Sequence, residues 1–309
     1  MERLVEVVLA SGKSAVDLTL YVLLPVMVVM MAVMRLLEAK GILAFVARLL
    51  APMLRPFGVP GVGVFAMLQM LLVSYAAPVA TLAVMEKGGT SRRGIAATLA
   101  MVLAMSQANA VFPLLPAGLS LPVTLFTSLV GGFVASAVTY HILLRSGDEQ
   151  AVEPLDVEKP ECPRGALALL VEGGHEGVQL SLRSIPILVL AVCLSKTLEA
   201  TGVISLLGRA LSPVLENVGL SGLVVLPLAT KYLAGGTAML GVVTDLVRGG
   251  GMSAIELNRI AGVMINSLDI VGVSVLISAG LRVATVVRLA IVGVIVGILL
   301  RGVLHLALA

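Results

Sequence analysis

Three apolar runs, Leu18–Met34, Val123–Leu144 and Val283–Leu300, constrain this chain more than any motif does. Each approaches the ~20 consecutive apolar residues that a helix needs to cross a hydrocarbon core. Inside a bilayer the backbone must satisfy its own hydrogen bonds, which leaves helices and closed barrels as the spanning structures. The alternating pattern of barrel strands is absent from these runs. Charged residues make up 13% of the sequence, against ~25% in ordinary soluble domains. The expectation is an all-α polytopic membrane protein, with the lipid bilayer as its first partner. The mixed charge of "MERLVEVVLASGKS" and its lack of a cleavage site predict no signal peptide. Basic residues gather at the ends of apolar runs, where they set topology, so a pI near 9.0 calls for no nucleic-acid partner. Cys162 lies in a polar stretch and Cys193 in an apolar one, so no disulfide is expected.

One stretch, "SGDEQAVEPLDVEKPECPRG" at Ser146–Gly165, is acidic, contains prolines and reads as a linker. The chain on either side is duplicated. With a shift of 161 residues, Pro25 falls on Pro186, Arg48 on Arg209, Pro52 on Pro213, Gly58 on Gly219 and Gly88-Gly89 on Gly249-Gly250. "LEAKG" at Leu37–Gly41 likewise falls on "LEATG" at Leu198–Gly202. After one inserted residue, Ser91 falls on Ser253 and "AGL" at Ala117–Leu119 on "AGL" at Ala279–Leu281. Prolines and glycines weigh most here because they fix backbone shape. The expected organisation is a first repeat over residues 1–145, a linker over 146–165 and a second repeat over 166–309.

Each repeat reads as the same series. A proline-bearing spanning helix (Val16–Glu38; Leu182–Glu199) precedes a short amphipathic piece (Ile42–Leu54; Val203–Leu215) that is too short to cross and is expected at the interface. An interrupted apolar segment follows (Gly61–Lys87; Gly222–Arg248), then two long helices (Ser91–Phe112 and Leu121–Arg145; Ser253–Ala279 and Arg282–Leu304). The interruptions are "SYAAP" at Ser74–Pro78 and "KYLAGGT" at Lys231–Thr237. Such breaks persist at membrane depth only where protein or a watery cavity satisfies the freed backbone groups. Each segment is either one kinked crossing or a re-entrant hairpin. Both flanks of the first are basic (Arg35, Lys40, Arg48 and Arg55; Lys87, Arg92 and Arg93), which favours a hairpin returning to the cytoplasmic side. An odd number of crossings per repeat then inverts the second repeat relative to the first. Inverted repeats with matching broken segments are the pattern of secondary transporters that bind solute near the midplane.

This order of parts resembles the transport core of the concentrative nucleoside transporters. "LLEAKGILAFVARLLAPMLRPFGVPG" with "MEKGGTSRRG" is similar to the nucleoside-recognition, or Gate, domain, which also occurs in ferrous-iron permeases and spore-maturation membrane proteins. The resemblance implies a small polar, nucleoside-like solute, alternating access, no cofactor beyond a coupling ion (sodium or proton), a homo-oligomer and a place in the cell membrane. It implies contact with solute at the hairpin tips and the adjacent broken helices. The first-hairpin region "QMLLVSYAAP" offers Gln69 but no acid, and among spans only one carries a cysteine, Cys193. A membrane scaffold without transport and a ferrous-iron permease are the alternatives.

The polar residues within apolar segments are the candidate site. Lys231 is the sharpest, because a lysine at bilayer depth costs about 2.5–3.5 kcal/mol and needs a partner or water. Asp269 is its expected partner and matches Gln107 by the repeat shift. Ser106, Gln107, Asn109, Asn266 and Ser267 form an amide and hydroxyl set able to bond a solute in both directions, or to join helices. Gln69, Ser74, Tyr75, Tyr232 and Thr237 sit on or near the interruptions. Asp245, close to a helix end, is expected to be solvated. The scattered histidines show no metal spacing, and no nucleotide-binding loop or hydrolase motif occurs, so an enzyme is not expected.

Overall fold

A computed structural model describes residues 2–144, 165–201, 206, 210, 213, 215–217 and 219–309. The linker (Gly165 excepted) and most of the second amphipathic piece lie outside the described residues. The described residues form helices and no strands. In chain order these are α1 (Glu2–Leu18), α2 (Leu24–Ala39), α3 (Ile42–Leu54), α4 (Gly61–Leu72), α5 (Pro78–Lys87), α6 (Arg92–Ala104) and α7 (Ala108–Leu114). They continue with α8 (Leu121–Ala137), α9 (Ala166–Ala200), α10 (Val225–Ala234), α11 (Gly236–Arg248), α12 (Ala254–Met264), α13 (Ile270–Ile277) and α14 (Leu281–Leu308).

A π-helical turn, Thr19–Leu23, joins α1 to α2 just before Pro25. Proline has no N–H and crowds the carbonyl one turn back, and a widened turn there lets the chain run on as a helix. Among the described residues, Val7–Leu37, Arg92–Ala117, Leu121–Leu143 and Leu281–Leu308 are long and apolar enough to cross a membrane. The pair Phe45–Phe57 and Gly61–Leu72 is bent by 108°.

The interrupted segments fold back on themselves. Thr81 donates to Gln69 Oε1 at 2.7 Å, although the two stand twelve residues apart in sequence. Along one straight helix that separation would be about 18 Å. Leu226 of α10 and Val242 of α11 share a buried cluster in the same way, where a straight helix would part them by about 24 Å. Matched glycines adopt matching left-handed conformations: Gly58 has φ 80 and Gly219 φ 67, while Gly89 and Gly250 both have φ 72.

Helix α6 is the centre of the molecule, with every residue from Gly94 to Ala104 buried. It packs against α4, α8 and α14. Helices α8 and α14 approach closely through Gly131 and Gly297, where an added β-carbon on either would meet the other's backbone. Small residues that let backbones touch are the usual currency of helix packing in lipid, where no hydrophobic drive separates helix from tail. Helices α1, α2 and α9 pack together at the outside, and Val8, Leu9, Val29 and Leu190 remain exposed there, as a lipid-facing surface requires. Outside the apolar segments, Ser253 and Glu256 form a capping box at the start of α12. Burial opposes ionisation of Glu256, but hydrogen bonds from Ser253 and Ser221 outweigh it and hold its carboxyl below the ordinary value.

The two long helices expected over Ser91–Phe112 and Ser253–Ala279 are each broken. The first is interrupted at Met105–Gln107, between α6 and α7, and the second at Ile265–Asp269, between α12 and α13. Neither break contains glycine or proline. Distant partners take the freed backbone groups instead, and these partners define the candidate site.

Candidate functional site

The two breaks cross at the centre of the molecule and bond to each other. The Ser267 backbone N–H donates to Leu103 O at 3.1 Å, and the Gln107 carboxamide donates to Asn266 O at 3.2 Å. Gln107 and Asp269, matched by the repeat shift, occupy the same structural position: each is the N-cap residue of the second half-helix. Their side chains act differently. Asp269 caps its own helix by accepting the Gly272 N–H at 2.7 Å. Gln107 reaches across to the other break.

Both hairpin tips meet this crossing. The first lies between α4 and α5, where the Tyr75 N–H donates to Asn109 Oδ1 at 3.4 Å and Ser74 is buried. Gln69, buried on α4, is held by Thr81 rather than turned to the crossing, while Met70 Sδ accepts from the Ser267 hydroxyl at 3.4 Å. The second tip turns at Gly235, with φ 93 and ψ 170, a conformation essentially reserved for glycine. A β-carbon at the next residue, Gly236, would collide with the Gln107 carboxamide. Thr237 follows in the first turn of α11 and is partly buried.

Lys231 lies in the last turn of α10 and is 0% exposed. Its ammonium donates to Asn266 Oδ1 at 2.5 Å and to Leu268 O at 2.7 Å. Asp269 Oδ2 stands 3.7 Å away, within ion-pair range but beyond a hydrogen bond. The Tyr232 ring centroid lies 4.1 Å from the same ammonium. The Tyr232 hydroxyl donates to Val263 O at 2.9 Å, which ties the hairpin to α12. Asn266 is shared: its oxygen also accepts the Leu268 N–H at 3.0 Å, and its amide nitrogen donates to Val263 O at 2.8 Å. Lys231, Tyr232, Gly236, Gln107, Asn266, Ser267 and Asp269 therefore form one network, which Asn109, Ser74 and Tyr75 border from the first hairpin.

Sequence reasoning passed over Arg301, which is also 0% exposed. It projects from α14 into the first break, and its guanidinium donates to Ala104 O and to the Ser106 hydroxyl. The Ser106 N–H in turn donates to Ser128 Oγ at 2.7 Å. The available signal was the helical reach of the last apolar run. The helix continues to Leu308, and this places Arg301 and His305 one turn apart on its buried face. His305 bridges Thr127, at 2.8 Å, and Asn258 O, at 2.7 Å. Among the described residues, no three His, Cys, Asp or Glu side chains gather as a metal site.

Two hairpin tips set against two broken, crossing helices give this membrane protein a transporter-like fold. Residues 20–121 match the Gate family, described as nucleoside recognition. Spore maturation protein B of Bacillus subtilis (strain 168) is 34% identical over 99 residues. That match covers 32% of this chain and 54% of the relative, so the chain spans about half the length of the curated relative it matches. Among solved structures, CNTnw in an inward-facing substrate-bound state superposes with a TM-score of 0.71 at 15% identity, over 92% of this chain and 73% of that one. A CNTnw variant in an outward-facing state gives 0.71 at 16% identity, over 93% and 76%. Another variant, in an intermediate state, gives 0.71 at 17% identity over the same 93% and 76%. The likeness is one of fold, and it is equal across the three states.

Proposed function

We propose that this protein is a secondary transporter or facilitator of a small polar solute, working by alternating access in the cell membrane as a homo-oligomer with inverted repeats. One observation carries the reading: four chain breaks, two at hairpin tips and two within helices, converge on a single buried network. A protein that only needed to stand in the membrane would gain nothing from four interruptions that meet in one place, since each frees backbone groups that lipid cannot satisfy. Breaks that pair with one another supply exchangeable donors and acceptors where a solute can substitute for protein partners. The Gate match and the fold shared with CNTnw support the same reading. Its chemistry is binding and release rather than catalysis, with the energy coming from a coupled ion or from the solute gradient.

Full burial of Lys231, with two hydrogen-bond acceptors and a carboxylate around it, favours a second reading. A scaffold would hold such a network permanently shut, and the relative named for spore maturation accords with that.

The test is flux and thermal stability of the purified, reconstituted protein against a panel of polar solutes, for wild type and Gln107→Ala. Transport predicts that at least one solute raises the melting temperature of the wild type and crosses the vesicle membrane, with both effects lost in the variant. A lower melting temperature for Gln107→Ala, with no solute effect in either protein, would establish the scaffold.

A further inference from the structure

The charges of the network do not cancel. Among the described residues, the buried side chains with a fixed charge are Lys231, Arg301 and Asp269: two cations against one carboxylate. Arginine stays protonated in any protein environment. The Lys231 ammonium faces an amide oxygen, a backbone carbonyl, a carboxylate and the face of a tyrosine ring, all electron-rich and suited to the charged form. Protonation of the neighbouring His305 would add to the positive side.

The two cations bracket the crossing. Arg301 holds Ala104 O; the preceding carbonyl, Leu103 O, takes the Ser267 N–H; and the residues on either side of Ser267 hold Lys231. The Lys231 ammonium has its hydrogen-bond acceptors, but its one carboxylate stands off, and Arg301 has no carboxylate at all among the described residues. Asp269 spends Oδ1 on its helix cap and leaves only Oδ2, at 3.7 Å, for Lys231. The Arg301 Nε, deeply buried, has no acceptor at all. A buried, unbalanced positive charge is costly in a low-dielectric interior unless something negative completes it.

We infer that the solute is a small anion, bearing a carboxylate or a phosphate, and that Lys231 and Arg301 are its counter-charges. This rests on the transport reading above and deepens it. An uncharged nucleoside would fill hydrogen bonds but leave the excess charge untouched. An anion takes the partly answered ammonium from Asp269, and the amide set around it recognises the polar remainder of the solute.

Asp269→Asn separates this inference from its rivals, because asparagine is as good an N-cap as aspartate and keeps the helix cap while deleting the charge. Binding is measured by calorimetry on purified protein with lactate, inorganic phosphate, uridine 5′-monophosphate and uncharged uridine as probes. The expected result is that at least one anion binds and uridine does not. Lys231→Gln should weaken that binding by about tenfold or more, and Asp269→Asn should tighten it, since a competing counter-charge is gone. Uridine binding without anion binding would overturn the inference and leave the transport reading standing. Anion binding that ignores Lys231→Gln, or that Asp269→Asn weakens or leaves unchanged, would also overturn it. If no probe binds and no solute crosses the membrane, both readings fall together.

Discussion

Asp269 carries two tasks that substitution can separate. Its Oδ1 caps α13 and its Oδ2 faces Lys231. An asparagine in its place would retain the first task and lose the second, whereas alanine loses both. Asp269→Ala is therefore expected to unfold about 1 kcal/mol more easily than Asp269→Asn, measured side by side by denaturation in detergent. Equal stabilities would mean that the cap contributes nothing at this position. At this scale the sequence was half legible. Lys231, Asp269 and the amide set stood out because polar groups are rare in apolar runs. Arg301 did not, because it follows the last apolar run and reads there as a helix-end cation. Only the close passage of α14 against Gly131 and Gly262 carries its guanidinium inward.

The hairpins are turned by elements of very different stiffness. The first reverses over a loop of several residues before Pro78, while the second turns at Gly235 alone. Gly235→Ala places a side chain in a backbone region that costs roughly 1–3 kcal/mol for any other residue, and its β-carbon would press on Val271 at 3.3 Å. The expected outcome is a lowered melting temperature together with loss of solute flux; full flux would mean that the tip does not have to keep this shape. Both interruptions could be read from Pro78 and Gly235-Gly236, residues that break a helix locally, although they left a kinked crossing and a hairpin both open. The helix breaks could not. At Met105–Gln107 the chain opens because Arg301 takes Ala104 O and Ser128 takes the Ser106 N–H, and the second break opens against Leu103 O. Those partners are remote in sequence, and a polar cluster without glycine or proline gives no local sign of them.

The whole molecule is expected to be two-fold in plan and opposite in direction. Lys87 ends the first hairpin and Arg248 the second, and both are exposed. With Cys162 and Cys193 replaced by serine, single cysteines at those two positions should react with a membrane-impermeant maleimide from opposite faces of oriented vesicles. Labelling from one face only would refute the inversion. The crossing itself has a further consequence, for assembly. Leu103 O, the Gln107 carboxamide, Asn266 O and the Ser267 N–H find their mates only across it. A polypeptide built as one such repeat would carry half of each bond missing in its buried interior. It would be bound to join a second subunit there, either its own copy or a companion chain, so that in this architecture a fused gene and an obligate pair of half-length genes are two ways of writing the same molecule.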